Sequence, residues 1–177
     1  MTEFLSETAL LRLREHLNGL RLKLSILQKS VNGIKIDNIN DIMRQNIPRD
    51  IKREALDLLV RIQMEALFLD SFAPVRFQSS TAVLTRFGST GALLNRIFAV
   101  AMDNHHGYVT VARRRGKIDV EHCEYPYLPA THFFGWGASV LAVDICEHAY
   151  YLDYGFDKRA YLLAALPYLA LSRLDRG

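Results

Sequence analysis

The stretch Val143-Asp-Ile-Cys-Glu-His-Ala-Tyr-Tyr-Leu-Asp-Tyr154 says more about this protein than any other part of the chain. It grows out of Ser139-Val-Leu-Ala-Val143, a short apolar run that reads as a buried strand. Asp144 and His148 stand four residues apart at the point where that strand ends. A carboxylate and an imidazole projecting from one strand-end turn can ligate a single metal ion. The spacing D-x-x-x-H is weak by itself, and the residues around it give it weight. Beyond it the pattern predicts helix over about Cys146–Tyr151 and over Lys158–Arg173, the second kinked near Pro167.

Upstream, Tyr108-Val-Thr-Val-Ala112 has strand composition and Ile118-Asp-Val-Glu-His122 alternates. Arg113–Lys117 joins the two as a hairpin turn, and Asn104-His105-His106-Gly107 forms the turn before the first strand. Ala92–Met102 reads as a helix reached past Gly88, Ser89 and Gly91, after a link over Phe77–Arg86 with at least one helical turn. The first half is helical throughout. Leu10, Leu13, Leu17, Leu20, Leu24, Leu27 and Val31 advance in steps of three and four, an apolar seam with Ser6 as N-cap and Asn32-Gly33 as stop. Asp37–Arg44 predicts a short helix. Pro48 and Asp50 then suit the start of another, whose seam runs Ile51, Ala55, Leu58, Ile62, Glu65, Leu69 and Phe72 before Ala73-Pro74 closes it. Two seams with a short connection predict an antiparallel helical hairpin. The class is therefore α+β: a hairpin over residues 1–75, then an α/β lobe over 76–177 with a small, about three-stranded antiparallel sheet.

Glu65 is the only charged member of the second seam. A carboxylate on an apolar stripe costs desolvation energy unless it finds a cation, a donor or a proton. Two readings stand side by side. Either Glu65 lies at the stripe's edge and reaches water, Arg61 or Arg12, or it is buried for a chemical purpose.

Composition bounds the rest. Half of the residues are apolar and 23% are charged, enough apolar material for a core, which excludes a disordered chain. Two cysteines, Cys123 and Cys146, without a C-x-x-C pattern argue for reduced thiols rather than a disulfide framework. Charged residues interrupt the first sixteen positions, so no signal peptide is expected there. The longest apolar run, near Tyr161–Leu171, is too short to span a bilayer and contains Pro167. The expectation is a protein without membrane association in a reducing compartment, the cytoplasm or an organelle matrix. A net charge of +3 permits an anionic partner without requiring one.

The C-terminal stretch resembles the iron/manganese superoxide dismutase family, whose signature there is D-x-W-E-H-A-Y-Y-x-D-Y. It matches at every fixed position except one, where Cys146 stands for Trp. Leu5-Ser-Glu-Thr8 looks like the approach to the family's first helix. Glu65-Ala-Leu-Phe-Leu-Asp-Ser-Phe-Ala-Pro74 lies over its N-H-x-F-Y-W segment and the S-P that follows, and Phe87-Gly-Ser89 resembles its F-G-S motif. The resemblance spans nearly the whole chain, with only the C-terminal motif highly specific.

The family holds one Fe or Mn through three His and one Asp, with a solvent molecule as fifth ligand. By resemblance, Asp144 and His148 match the last two protein ligands. The first ligand position falls on Leu13, with His16 as a neighbour in register, and the second on Glu65. The outer His and Tyr of the family's first helix fall on Leu17 and Arg21, and its Trp-rich wall falls near Tyr108, Val109 and Thr110. The pocket is thus expected to involve Leu13, Leu17, Arg21, Tyr108 and Cys146. The resemblance also implies a homodimer: in the family, the Glu beside the last metal His reaches that His across the interface, and Glu147, His148 and Tyr151 match the interface residues.

Efficient dismutation is not expected from a chain that keeps two of four ligands, since losing the outer partners alone costs about 10–100-fold. Glu65, Asp144 and His148 could bind Fe or Mn as an altered mononuclear set. Alternatively no metal binds, and the carboxylates share a proton or recruit Arg12 or Arg21, or side chains fill the pocket. Three functional readings stay open: a superoxide dismutase-like protein with a degenerate site, a genuine dismutase that recruits another residue such as His16, and a non-catalytic structural or RNA/protein-assembly subunit. For the last, Arg113, Arg114 and Arg115 would be the nucleic-acid contact, although such a basic tip is more often a solvated turn. His105, His106, His122, Cys123 and His132 fit no ligand spacing. Cys146 reads as a pocket thiol or a smaller core residue.

Overall fold

The computed structural model describes residues 3–31, 38–114, 116–124 and 137–175, with the backbone alone for residues 137 and 138. Helix α1 (Glu7–Ser30) opens at Ser6, whose Oγ accepts the Ala9 N–H at 3.1 Å. It buries Leu13, Leu17, Leu20, Leu24 and Leu27, the predicted seam, while Leu10 and Val31 are half-buried. Asn38 caps the short helix α2 (Ile39–Arg44) through its side chain. Pro48 precedes α3 (Arg49–Asp70), with Asp50 in its first turn. The Asn32-Gly33 stop and Asp37 lie outside the described residues.

The hairpin is antiparallel because the ends pair in reverse order. Leu20, Leu24 and Leu27 of α1 pack with Ala55, Leu58 and Leu59 from the start of α3, together with Ile42 and Ile47. Ala9 and Leu13 belong instead to the main core, with Val60, Met64 and Phe68 from the end of α3. The buried arc of α3 is wider than the single seam expected. Met64 and Phe68 are buried, whereas Ile51, Ile62, Leu69 and Phe72 are half-buried. The cause is that α3 packs on α1 with one flank and on the sheet with the other.

Two Ser-capped helices follow, α4 (Thr81–Phe87) and α5 (Thr90–Asp103), separated by Gly88 in the left-handed region at φ +78°. The strands are β1 (Tyr108–Arg114), β2 (Lys117–Cys123) and β3 (Gly137–Asp144), in the order β2-β1-β3 and antiparallel throughout. Central β1 sets Tyr108 opposite both Cys123 and Asp144. The hairpin turn is tighter than expected, because the strands run on to Arg114 and Lys117. Arg113 and Arg114 are half-buried rather than displayed at a tip: Arg113 donates to Leu174 O and Arg114 pairs with Glu121. Arg115 lies outside the described residues.

Helix α6 (Glu147–Tyr154) leaves the end of β3, and α7 (Lys158–Ala165) follows. The single kinked helix expected over Lys158–Arg173 is corrected here. Helix α7 stops at Ala165, a 3-10 turn spans Leu166–Tyr168, and a second spans Leu171–Asp175. Pro167 has no N–H to continue the helical hydrogen-bond pattern, and Leu166 before it still has helical backbone, so the chain tightens into a 3-10 turn before leaving the helix. The chain between the turns becomes extended and bridges Leu169 to Phe72. Among the described residues, no helix is long and apolar enough to cross a membrane.

One residue ties the hairpin to the lobe. Ser71, at the end of α3, is fully buried. Its Oγ donates to Leu67 O at 2.6 Å and accepts the Ala142 N–H of β3 at 2.7 Å, while its carbonyl accepts the Ala170 N–H at 2.9 Å. Ser71→Ala leaves the Ala142 N–H buried without a partner and is expected to lower stability by about 1–3 kcal/mol. Chemical denaturation of the two proteins measures the loss.

Candidate metal centre

Three elements bring polar groups to one place at the edge of the apolar core, where Glu65 and Asp144 are buried and His148 is exposed. Glu65 projects from the inner arc of α3, Asp144 closes β3, and His148 sits in the first turn of α6. Asp144 shapes its own surroundings. Its Oδ1 accepts the Cys146 N–H at 2.8 Å, which folds the chain back at the strand end and starts α6. Its carbonyl accepts the Tyr161 hydroxyl at 3.0 Å. The fold-back leaves Oδ2 3.1 Å from His148 Nε2, close but off the line a hydrogen bond needs. The same nitrogen lies 3.9 Å from Glu65 Oε2.

Glu65 is 0% exposed, so its position is not a stripe edge. Its Oε2 accepts the Tyr108 hydroxyl at 2.8 Å. Neither proposed arginine reaches it: Arg12 pairs with Glu15 on the surface, and Arg61 pairs with Asp57 one turn back along α3. Glu65 Oε1 and Asp144 Oδ2 are both buried without a hydrogen-bond partner. Buried carboxylate oxygens left this way call for a cation or a proton.

The charges are coupled. Burial raises the Asp144 carboxyl above the ordinary carboxylate range, against the opposing pull of His148. Burial disfavours charge on His148, but the neighbouring Asp144 carboxylate, the Cys146 sulfur and the Glu65 carboxylate outweigh that and push it up to about 12. Without a metal, imidazole and carboxylates hold a proton among them at neutral pH. Burial also raises the Cys146 thiol.

Two further groups border the site. The His16 ring lies 5.0 Å from the His148 ring, tilted by 35°. Burial and the neighbouring His148 both lower its pKa. Cys146 Sγ accepts the Gly107 N–H at 3.1 Å, and the ligand atoms of Asp144, Cys146 and His148 all lie within 4.8 Å of one another. That is the one such His/Cys/Asp/Glu cluster among the described residues.

Of the other expected pocket residues, Tyr108 is at the site and Leu13 and Leu17 are buried as apolar core. Arg21 is a correction. It is exposed, because the inward face of α1 passes from Leu17 to Leu20 and Leu24 and leaves Arg21 on the solvent side. Glu147 and Tyr151 are exposed on α6, where Tyr151 packs edge-on against Phe156 at 5.2 Å. His106 pairs with Glu124, His122 lies 2.7 Å from His106 O, and Cys123 is buried beside Thr110, so these do not gather into a second site. His132 lies outside the described residues. Cys146 is a donor that the expected ligand set omits, and the alternating spacing Asp144-x-Cys146-x-His148 is its signal in the sequence.

The donor set fits a metal. An imidazole nitrogen and two carboxylates, two of whose oxygens lack hydrogen-bond partners, make a hard and anionic group of ligands suited to a divalent first-row ion. The model of the C-terminal domain of iron/manganese superoxide dismutases matches residues 76–173, more than half of the chain, including Asp144 and His148. No curated protein matches the sequence.

Tyr108→Phe removes the donor to Glu65 while keeping the ring. It is expected to cost about 1–3 kcal/mol, because a buried acceptor loses its partner. A double-mutant cycle with Glu65→Gln, read by denaturant unfolding, measures the coupling between the two.

Proposed function

The chain belongs to the iron/manganese superoxide dismutase family, and within that family we propose that it carries an altered mononuclear metal centre rather than an efficient dismutase site. The protein ligands are Glu65, Asp144 and His148. One observation carries this reading: donors from α3, β3 and α6 converge on one point, where two carboxylates are fully buried, Asp144 Oδ2 has only the ion-pair contact with His148, and Glu65 Oε1 has no hydrogen-bond partner. A bound Fe or Mn would supply a one-electron couple and an open coordination position.

The chain's own residues determine what else the site can do. Tyr108 orients Glu65, and the Cys146 N–H and Tyr161 hydroxyl orient Asp144. Leu13 and Leu17 contribute only apolar surface, so neither the first-helix ligand nor its imidazole neighbour is reproduced. That absence of tuning groups is the basis for expecting little dismutation. The centre sits at the junction of the proposed hairpin unit, residues 1–75, and the proposed lobe, residues 76–177, a division supported by the start of the family match at residue 76. A homodimer through Glu147, His148 and Tyr151 is part of the proposal. It is supported by the exposed apolar groups beside them, Tyr151 at 49%, Leu152 at 56% and Phe156 at 77% exposure.

A second reading, a genuine dismutase, is favoured by His16. Its ring against His148 brings an imidazole to the side of the site from which one is missing. The assembly-subunit reading draws less support, because Arg113 and Arg114 are engaged with the protein itself.

Elemental mass spectrometry on untagged protein, expressed with iron and manganese supplied, tests the centre. Near-stoichiometric metal is expected, and Glu65→Ala is expected to lose it while keeping its far-ultraviolet circular dichroism. No metal in either protein would overturn the reading and leave a structural role. Metal-loaded protein is expected to consume superoxide little faster than buffer; fast turnover that His16→Gln abolishes would establish the second reading instead.

A further inference from the structure

We propose that Cys146 is a sulfur ligand of this centre, beside Asp144 and His148, so that the site selects a divalent ion that accepts sulfur, such as Fe(II) or Zn(II), over Mn(II). This rests on reading the site as a metal centre. In the family pattern an indole occupies this position and offers no donor; here a thiol does.

The geometry begins with the turn at the end of β3. The Cys146 N–H to Asp144 Oδ1 hydrogen bond folds residues 144–148 so that alternate side chains converge. Sγ, a carboxylate oxygen and a ring nitrogen come within 4.8 Å of one another as a result. A cysteine alone would mean little. The independent pointer to a cation is Glu65 Oε1, fully buried with no hydrogen-bond partner, on a carboxylate that shares His148 with the buried Asp144.

The far side of the sulfur is also prepared. The Gly107 N–H points at Sγ from 3.1 Å, the contact that stabilises negative charge on a ligating sulfur. Gly107 is held in that pose. Its φ is +96°, and a Cβ there would meet Cys123 O at 2.2 Å. Its carbonyl accepts the Ile145 N–H at 3.0 Å, extending the β1–β3 ladder up to the site. Besides its contact with His148, Sγ lies 3.7 Å from Gly107 O, a weak interaction for a thiol proton that coordination would replace. Softer donors favour Zn(II) and disfavour Mn(II), which prefers oxygen.

Cobalt(II) titration into the metal-free full chain tests this, because sulfur ligation and binding give separate signals. The expected spectrum has visible d–d bands together with a near-ultraviolet sulfur-to-cobalt charge-transfer band. Cys146→Ser is expected to lose the charge-transfer band, Cys123→Ser to keep it, and Zn(II) but not Mn(II) to displace the cobalt. Visible bands without the sulfur band, or a band that survives Cys146→Ser, would overturn the sulfur ligand and leave the Glu65–Asp144–His148 centre standing. No cobalt spectrum at all would overturn both. Should Cys146→Ser fail to fold, alkylation of the wild-type chain by iodoacetamide decides: zinc is expected to protect Cys146, and equal labelling with and without zinc refutes the proposal.

Discussion

The hydrogen bond from the Cys146 N–H to Asp144 Oδ1 does two jobs at once. It ends β3 and turns the chain into α6, which brings His148 back over the strand end. It also occupies one carboxylate oxygen and leaves the other facing His148 Nε2. The Tyr161 hydroxyl holds the Asp144 carbonyl from α7, so the return of the C-terminal chain and the geometry of the site share an anchor. Moving Asp144 would disturb the sheet end, the start of α6 and the donor cluster together.

Glu65 is the counterpart on the other side of the core. A buried carboxylate on a helix is tolerated only where the neighbours answer it, and here Tyr108 answers one oxygen from the first residue of the central strand. The helix cannot slide past the sheet without breaking that contact. Ser71 strengthens the restraint from the end of the same helix, because its hydroxyl takes the Ala142 N–H of β3. The facing wall from α1 is apolar, with Leu13 and Leu17 buried and His16 reaching the site only at its rim. The centre is therefore polar on the α3, β3 and α6 sides and closed by hydrocarbon on the fourth.

Much of this could be read without coordinates. The α1 seam, the Ser6 cap, the hairpin, the three strands and the strand-end pair Asp144 and His148 follow from periodicity and spacing, which are local properties. The errors have physical reasons. The arc of α3 came out too narrow because a helix packed on two neighbours buries more than one stripe. The last helix came out too long because Pro167 ends α7 outright when the following chain can pair with the segment after α3. Arg21 shares a helical face with Leu17 in projection, yet the packing of α1 leaves it in water.

The sequence by itself determined the elements, their order, the family and the anomaly at Glu65. A lone carboxylate in an apolar seam is visible in one dimension because its cost is a property of its own neighbours along the helix. Which groups answer that carboxylate was settled only in three dimensions. Tyr108 and His148 come from two separate elements, and their meeting with Glu65 depends on how α3 lies across the sheet. The same holds for Cys146, whose sulfur gains meaning from Gly107 on another strand end and from two carboxylate oxygens without hydrogen-bond partners. Spacing along the chain reveals which donors are available, and only packing decides which of them face one another.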